Sequence, residues 1–545
     1  MRTASPRGQV VDVVTVDTRT EPVPAGAPIV PPAGSRELKV LRAVLLGCGA
    51  AFFAAYVAIA LARWRYPYEL EWMEGGVLLH VQRVLHGHSV YGPPSVHFTP
   101  FIYTPLYYYA SAAVAWVLGP HLSTLRLVSI LGSFVALWSV YRLVVAETKA
   151  RWPGIVGACL LAATFRLSGA WLDLARVDAL FLGLLLAALV CVRGTTSWRR
   201  AVAAGALFGA AFLTKQEALL PSLAVLPFLW RRGPRIAGSY VASLAAVVGV
   251  ATVALQYASS GWYLQYTLWL PTQHEIATGN VLGFWTHDVV RSVGLAVAIG
   301  VAALVALRAE SRRFYVPVVI GLVLSSYTAR LHTGGYDNVL LPAYAGIAVA
   351  FGIGCYVLTH PPERARRVAR VVFVVAIAQF VLLAYNPLAQ IPSTADARAG
   401  DRFVADLRSL PGPVYLPGHS WLLERLDQPT TAHAGAIGDI LRGDAGGSNR
   451  HLARDLRRLV ARQRFGAIVV DSPREFSYLP RNLGRYYCAG KRIPRHDFPR
   501  PRTGTRVVPS RVWLPRPADD PIPTAHECGV TPEEYYANAI LTGGS

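Results

Sequence analysis

The stretch Tyr68–Gly76, YELEWMEGG, places three carboxylates, Glu69, Glu71 and Glu74, just beyond the first long apolar segment of the chain. Two glycines follow at once, a pattern typical of a turn that presents side chains rather than of a packed helix. Acidic groups next to hydrocarbon are costly unless they are paired or functional. The three glutamates are therefore expected to have cationic partners or a function.

The overall composition indicates a polytopic membrane protein. The 545 residues are 53% hydrophobic and 16% charged, and their mean hydropathy is +0.36, which excludes an ordinary soluble protein. The formal net charge of +21 comes from short basic clusters between apolar runs, as expected for cytoplasmic loops. Because no basic face with interleaved aromatic residues is present, we expect no nucleic-acid partner.

Eleven apolar runs are candidates for membrane spans, since about 20 residues cross the hydrocarbon of a bilayer. They lie near 40–62, 124–146, 153–170, 177–193, 200–214, 216–231, 236–257, 290–307, 314–329, 337–358 and 368–388. The runs 200–214 and 216–231 are short and are also compatible with a broken pair.

The basic clusters set the predicted orientation of these spans. They alternate with weakly basic or acidic loops and predict a multi-pass protein of the cell membrane with a cytoplasmic N-terminus. Both ends of 63–123 are then extracytoplasmic. The run 102–119 is therefore predicted to be a helix at the interface rather than a span, as its tyrosines and Trp116 also favour.

Three regions follow from these patterns. Residues 1–36 are predicted to be a disordered cytoplasmic tail, 37–390 a membrane domain, and 391–545 an extracytoplasmic soluble domain. The fold class is thus an α-helical polytopic membrane protein with a small α/β domain at its C-terminus.

Within the soluble domain, the pattern predicts a strand at 413–418, a helix near 449–463 and a strand at 465–472. Beyond about 490 the chain is rich in Pro and Arg and is predicted to be irregular. Cys488 and Cys528 lie in this domain, either as a disulfide or as two free thiols.

Ionisable residues collect in the predicted external loops, where such groups usually line a cavity or pathway. Besides the three glutamates, they include Asp173, Arg176, Asp178, Lys215, His274, Glu275, Arg330 and His332. Solvated loop charge is the alternative, with Arg176 and Asp178 as an interfacial ion pair. Oxygen and imidazole ligands for a divalent metal are available from Asp173, Asp178, His274 and Glu275, and metal dependence stays open.

Five stretches in this order resemble the GT-C membrane glycosyltransferases, which include protein mannosyltransferases, aminoarabinose lipid A transferases and oligosaccharyltransferases. They are EWMEGGVLLHVQRVLHGHSVY (71–91), FIYTPLYYYASAAVAWVLGPHLSTLRLVSIL (101–131), LARVDALFLGLLLA (174–187), FLTKQEALLPSLAVLPFL (212–229) and RLHTGGYDNVLLPAYAGIAVA (330–350). The resemblance covers about 55–390.

The resemblance implies inverting transfer of a sugar from a polyprenyl-phosphate donor to a glycan, lipid or protein acceptor on the extracytoplasmic face. A first-loop carboxylate acts as the base in this family. Glu74 fits that position best, but Glu71 is its rival, because the family often has Asp next to Glu where this chain has Met73.

Other roles are implied by the same resemblance. Asp178 takes the second acidic position, where it orients the acceptor or binds a metal. Lys215 and Arg330 are the first candidates for the lipid phosphate, followed by Arg176 and His332. Tyr103 belongs to an aromatic run that either anchors the interface or contacts the sugar. Since no nucleotide-binding loop is found, no cofactor is implied except a possible metal.

Two functions of other classes stay open from the sequence. A transporter or flippase of lipid-linked saccharides predicts inverted repeats with helices broken at mid-membrane. A non-catalytic protein of envelope assembly predicts a binding module without turnover.

Overall fold

The computed structural model describes residues 36–360, 366–470, 479 and 483–517. The predicted disordered tail lies outside these residues except for Arg36, and so does Cys528 with its possible disulfide. Between 36 and 382 the regular elements of the described chain are helices, joined by loops. Its main helices are α1 Arg36–Arg63, α2 Glu74–Leu85, α3 Leu106–Leu118, α4 Leu122–Thr148, α5 Arg151–Ala163, α6 Val177–Arg193, α7 Trp198–Thr214, α8 Leu219–Ala224, α9 Leu226–Arg232, α10 Pro234–Ala258, α11 Asn280–Ala306, α12 Ala309–Leu331, α13 Leu341–Val357 and α14 Arg366–Leu382.

Each of the eleven predicted runs contains a helix, but the helices differ in length. Six of those described are long and apolar enough to cross a membrane, and a seventh candidate is the pair Arg366–Leu382 and Pro387–Arg408, bent by 46°. The run 216–231 is broken into a short turn, Gln216–Ala218, followed by α8 and α9. The total of eleven spans therefore stays a prediction.

The run 102–119 forms a short helix, as expected of an interfacial segment. Helix α3 has 13 residues. Trp116 and Val117 near its C-terminal end are 82% and 73% exposed, so apolar rings and methyls project from the protein there. Such exposure suits a helix end at the lipid boundary.

Small residues bring the long helices together. A Cβ added to Gly132 of α4 would lie 2.7 Å from the Cα of Leu180, and one added to Gly183 of α6 would lie 2.5 Å from the carbonyl oxygen of Gly132. Neither position has room for a side chain. The close crossing of α4 and α6 thus depends on glycine, as is common where helices pack without a hydrophobic driving force.

The two ends of the helical domain have different chemistry. At one end the basic clusters meet, with Glu37 of α1 paired to Arg370 of α14, and Arg232 to Glu310. At the other end α1 finishes at Arg63, and α2 and the polar domain lie beside it. We call this second end the domain-proximal face. Which face is cytoplasmic stays a prediction.

The polar domain contains a small four-stranded sheet, in agreement with the predicted α/β class. Its elements are α15 Thr394–Arg408, β1 Val414–Tyr415, a 3₁₀ turn Ser420–Leu426, α16 Ala434–Arg442, α17 Ser448–Ala461, β2 Ala467–Val470, α18 Leu483–Tyr486, β3 Tyr487–Arg492 and β4 Arg511–Pro515. The strand order is β1-β2-β4-β3, with β1 and β2 parallel and β4 antiparallel to both of its neighbours.

The sheet extends into a region predicted to be irregular. Strands β1 and β2 with helix α17 form the predicted strand, helix and strand. Strand β4 lies beyond 490, and its Val512 and Trp513 are buried against the domain core. Proline and arginine flank this short apolar run on both sides and obscure it in the sequence.

The two glycines after Glu74 do not form a turn. They occupy the first turn of α2 and pack tightly. A Cβ added to Gly75 would lie 1.8 Å from Cδ1 of Trp421 in the polar domain, and one added to Gly76 would lie 2.6 Å from the ring of Phe101. The glycines therefore let the polar domain approach the acidic loop directly.

Replacing Gly75 by Ala is expected to destabilise the protein by about 1–3 kcal/mol, because the added methyl group overlaps the Trp421 ring. Thermal unfolding of the full chain in detergent measures the effect. Gly47→Ala is the matched control, since nothing lies within 4 Å of a Cβ at that helical position. Equal unfolding midpoints for the two variants would contradict this account of the interface.

Candidate active site

Glu74 is the most completely hydrogen-bonded of the three glutamates. Its Oε1 accepts from Nε of Arg126 at 2.9 Å and from the amide of Ala175 at 2.7 Å. Its Oε2 accepts from Nη2 of Arg126 at 2.7 Å and from the amide of Leu70 at 2.6 Å. Burial opposes ionisation of this carboxyl, but Arg126 and the two amides outweigh it and lower its pKa. Glu74 is therefore ionised, and each of its carboxylate oxygens already accepts two hydrogen bonds.

Arg126 explains why the first loop needs this carboxylate. It lies in the apolar helix α4 with 0% of its surface exposed. Besides Glu74, it donates to the carbonyl oxygens of Tyr66 and Tyr68 at 2.6 and 2.7 Å. The loop 66–74 thus wraps around one buried guanidinium.

Glu71 has different surroundings. Its Oε2 accepts from Nη1 of Arg176 at 2.8 Å and from the amide of Met73 at 3.2 Å. Among the described residues, both hydrogen bonds to this carboxylate go to Oε2, which leaves Oε1 available. The guanidinium of Arg176 also donates to the hydroxyl of Tyr103 at 3.0 Å, and its buried Nε has no partner in the described structure.

The pKa of Glu71 is raised to about 7, mainly by burial, with Arg176 lowering it and Glu74 raising it further. The polar domain contributes to this burial. A Cβ added to Gly504, which has φ +76°, would lie 2.7 Å from Cγ of Glu71. The amide of Thr503 beside it donates to the carbonyl oxygen of Leu70 at 3.2 Å. The carboxyl can therefore change its charge near neutral pH.

Asp178 and Lys215 form a second buried pair. Oδ1 of Asp178 accepts from Nζ of Lys215 at 2.9 Å and from the amide group of Asn338 at 2.8 Å. Oδ2 of Asp178 is buried without a partner among the described residues. Lys215 also contacts Glu217 at 2.8 Å.

Tyr103 links the two pairs. Arg176 donates to its hydroxyl, and Lys215 interacts with it electrostatically. Six side chains, all buried except the half-buried Tyr103, therefore form one cluster on the domain-proximal face. We call it the Glu71–Asp178 network: Glu71, Arg176, Tyr103, Asp178, Lys215 and Asn338.

Glu69 connects the loop to the polar domain. Its Oε2 lies 2.5 Å from Nδ1 of His419, and its Oε1 accepts from the amide of Gly75 at 3.0 Å. The His419 ring packs against Phe498 at a centroid distance of 4.7 Å. Glu69 is thus a docking contact for the polar domain.

The remaining predicted site residues lie outside the network. Arg330, predicted with Lys215 as a first candidate for the phosphate, is paired with Asp288 at 2.9 Å and with Asp337 at 3.3 Å. His332 lies 3.0 Å from His274, whose other nitrogen lies 2.9 Å from the carbonyl oxygen of Asp439 in the polar domain.

The four candidate metal ligands do not converge. Asp173 is held by Arg63 with Nε to Oδ2 at 2.5 Å, Asp178 by Lys215, and His274 by His332, while Glu275 is exposed. In the part of the chain that the structure describes, no group of three His, Cys, Asp or Glu side chains suits a metal ion. Because these residues do not fit a metal as arranged, no step is assigned to one.

Sequence reasoning does not identify Arg126 and His419 as partners of the acidic loop. For Arg126 a signal exists, because an arginine inside an apolar span has to find a carboxylate. For His419 no comparable signal exists, since a single histidine in a polar domain is unremarkable.

The comparisons with known proteins concern the family and the fold. A family model described as dolichyl-phosphate-mannose-protein mannosyltransferase matches residues 102–257, which hold Tyr103, Arg176, Asp178 and Lys215. No curated protein sequence gives a significant match.

Among solved structures, the chain is similar to ArnT from Cupriavidus metallidurans bound to undecaprenyl phosphate. The identity is 12% and the TM-score 0.54, covering 85% of this chain and 98% of that chain. The apo state of ArnT gives 13% and 0.53 with the same coverage. The archaeal oligosaccharyltransferase AglB from Archaeoglobus fulgidus gives 12% and 0.47, covering 80% of this chain and 72% of that chain. The ArnT structures confirm the fold expected from the sequence.

Glu74→Gln is expected to destabilise the protein by about 3–5 kcal/mol, because it leaves the buried Arg126 without a counter-charge. Thermal unfolding of the full chain measures the loss. Glu310→Gln is the control, because it removes an exposed carboxylate whose partner Arg232 is also accessible to water. If Glu310→Gln proved as destabilising as Glu74→Gln, the stability would not depend on the buried pair as described.

Proposed function

We propose that this chain, which has the GT-C fold of membrane glycosyltransferases, transfers a sugar from a polyprenyl-phosphate donor to an acceptor hydroxyl or amine at the domain-proximal face. Glu71 is the base in this proposal. The observation that carries the assignment is the contrast between two neighbouring carboxylates: Glu74 has both oxygens doubly hydrogen-bonded, whereas Glu71 has Oε1 available and a pKa of about 7.

A pKa near the working pH suits a general base, because a useful fraction is ionised and the group can still accept a proton. Glu71 takes the proton from the acceptor while the acceptor oxygen or nitrogen attacks the anomeric carbon. The bond between that carbon and the phosphate oxygen breaks as the new bond forms, with inversion at the carbon. The products are the glycosylated acceptor, protonated Glu71 and the polyprenyl phosphate.

Two cationic side chains of the Glu71–Asp178 network, Lys215 and Arg176, each keep one N–H group that can donate a hydrogen bond to the leaving phosphate. An ammonium group has three protons, and Asp178 and Glu217 engage two of those on Lys215. Arg176 has its Nε unpartnered. Positive charge aimed where the leaving group gains negative charge stabilises the transition state. Arg176 and Lys215 each keep an N–H without a partner, whereas all three guanidinium nitrogens of Arg330 are engaged and His332 is paired with His274. Arg176 and Lys215 therefore suit the phosphate better.

Asp178 has a supporting role in this proposal. Its Oδ1 holds Lys215, and its unpartnered Oδ2 is available to accept a hydrogen bond from a sugar or acceptor hydroxyl. Tyr103, between Arg176 and Lys215, provides a ring wall and a hydroxyl for the same ligand.

A lipid-linked donor is supported by the similarity to ArnT, whose structure contains undecaprenyl phosphate. An activated lipid phosphate needs no nucleotide loop, consistent with the sequence. We place the reaction on the extracytoplasmic face, because the basic clusters gather at the opposite end of the helices.

Glu71→Gln is expected to reduce transfer by about 10²–10⁴-fold, the contribution typical of a positioned base. The measurement is turnover of a radiolabelled polyprenyl-phosphate sugar by the purified full chain. In the wild type, the rate should rise with pH through about 7, because only the ionised carboxylate accepts the proton.

The control for Glu71→Gln is Glu310→Gln, which alters an exposed carboxylate at the opposite face and should leave turnover unchanged. Full turnover by Glu71→Gln would refute the assigned base. Movement of the labelled lipid across a vesicle membrane without sugar transfer would instead indicate the flippase alternative.

Lys215→Gln is expected to raise the KM for the donor by about tenfold, the effect of removing one charge-assisted contact to phosphate. Steady-state kinetics with varied donor concentration give this value. Lys149→Gln, at the C-terminal end of α4, is the control. Because Lys215→Gln alone leaves the buried Asp178 without its cation, the double variant Asp178→Asn, Lys215→Gln tests the same point without that buried charge. Glu217, the other partner of Lys215, is partly exposed. An unchanged donor KM in both would exclude Lys215 as a phosphate ligand.

A further inference from the structure

A cavity of about 490 Å³ opens on the domain-proximal face, separate from the Glu71–Asp178 network. Four parts of the chain form its walls: residues 65–67, the side chains of Leu78 and Gln82 from α2, the turn 120–123 that leads into α4, and the polar-domain turn Ser420–Leu426. No residue of the network lines it. Trp421, which lines the cavity, also packs against Gly75 at the start of α2, and Glu69 of the acidic loop is paired with His419.

The wall of the cavity carries fixed positive charge. The guanidinium of Arg425 donates to the carbonyl oxygen of Pro67 at 2.9 Å and lies 4.7 Å from the ring centroid of Trp421. Arg65 lies 5.0 Å from the ring centroid of Trp64. Guanidinium groups held against rings are ordered in advance for planar recognition of phosphate.

The wall also carries one carboxylate, Glu424, which accepts a hydrogen bond from Nε2 of Gln82 at 2.5 Å. With two guanidinium groups and one carboxylate, the formal charge of the wall is positive. His121 also lines the cavity and adds a further ring nitrogen. The cavity therefore suits an anionic group attached to a polar molecule. The rings of Trp421 and Tyr66 in its lining can pack against the carbon atoms of a glycerol or a sugar.

The position of the cavity indicates which anion reaches it. The turn 120–123 directly follows the exposed end of α3, where Trp116, Val117 and Leu118 are 82%, 73% and 53% exposed. Exposed tryptophan and aliphatic side chains at the end of an interfacial helix mark the level of lipid head groups. Nε1 of Trp64 donates to the carbonyl oxygen of Ser123 at 2.8 Å, so the cavity rim is tied to this level.

We propose that this cavity binds the head group of an anionic phospholipid at the membrane surface, with Arg65 and Arg425 contacting the phosphate. The site is distinct from the donor site and does not depend on the proposed transfer reaction. Its test measures binding without turnover, so the two proposals can fail separately.

The experiment measures binding of dihexanoyl phosphatidylglycerol to the full chain in a non-ionic detergent by calorimetry, with zwitterionic dihexanoyl phosphatidylcholine and free glycerol 1-phosphate as comparison ligands. Phosphatidylglycerol should bind at least about tenfold more tightly than either. Its affinity should fall by a similar factor in the double variant Arg65→Gln, Arg425→Gln. It should also fall in Ser123→Trp, which fills the cavity without changing charge.

Arg199→Gln is the matched control, because Arg199 lies over Trp198 much as Arg65 lies over Trp64 but in a basic cluster of the opposite face. It should bind like the wild type. If Arg425→Gln fails to fold because Arg425 also holds Pro67, Arg65→Gln and Ser123→Trp carry the test. Unchanged affinity in these variants would overturn the proposal, and so would equal affinity for glycerol 1-phosphate, which would make the cavity a site for soluble phosphate esters.

Discussion

The buried ion pair between Glu74 and Arg126 is the constraint on which the rest of the site depends. An arginine with 0% exposure inside an apolar helix is stable only if a carboxylate and further acceptors surround it. Glu74 provides both oxygens, and the carbonyl groups of Tyr66 and Tyr68 complete the shell. The first loop is consequently fixed over the end of α4, which determines where its other two glutamates point.

The three carboxylates then separate into three roles because each meets a different partner. Glu74 meets a guanidinium that has no competing carboxylate and stays ionised. Glu69 meets His419 and fixes the polar domain. Glu71 meets Arg176, whose remaining donors are directed at Tyr103 or left unpaired. Burial outweighs the cation at Glu71, as it also does at Glu69, but the two oxygens of Glu69 are engaged by His419 and the amide of Gly75. Glu71 has the least complete set of partners of the three, and is therefore the one we propose for proton transfer.

The helices were predictable from the sequence because span length and apolar composition are local properties, and every predicted run contains a helix. The choice between Glu71 and Glu74 was not local, since their partners, Arg176 and Arg126, come from other parts of the chain. Gly75 and Gly76 suggested a turn because glycine pairs usually mark one. Glycine is instead required at both positions because Trp421 and Phe101 approach the backbone too closely for a side chain. Strand β4 was missed because its pairing between β2 and β3 is set by distant segments.

The polar domain is part of the site and not only an appendage to it. The amides of Arg502 and Thr503 both donate to the carbonyl oxygen of Leu70, and Gly504 lies directly against the Glu71 side chain. Since burial is the largest cause of the raised pKa of Glu71, residues near the end of the chain contribute to the chemistry of a carboxyl more than 400 positions earlier. A membrane domain folded without this cover would expose more of the same glutamate to water, and its pKa would move towards that of an ordinary carboxyl.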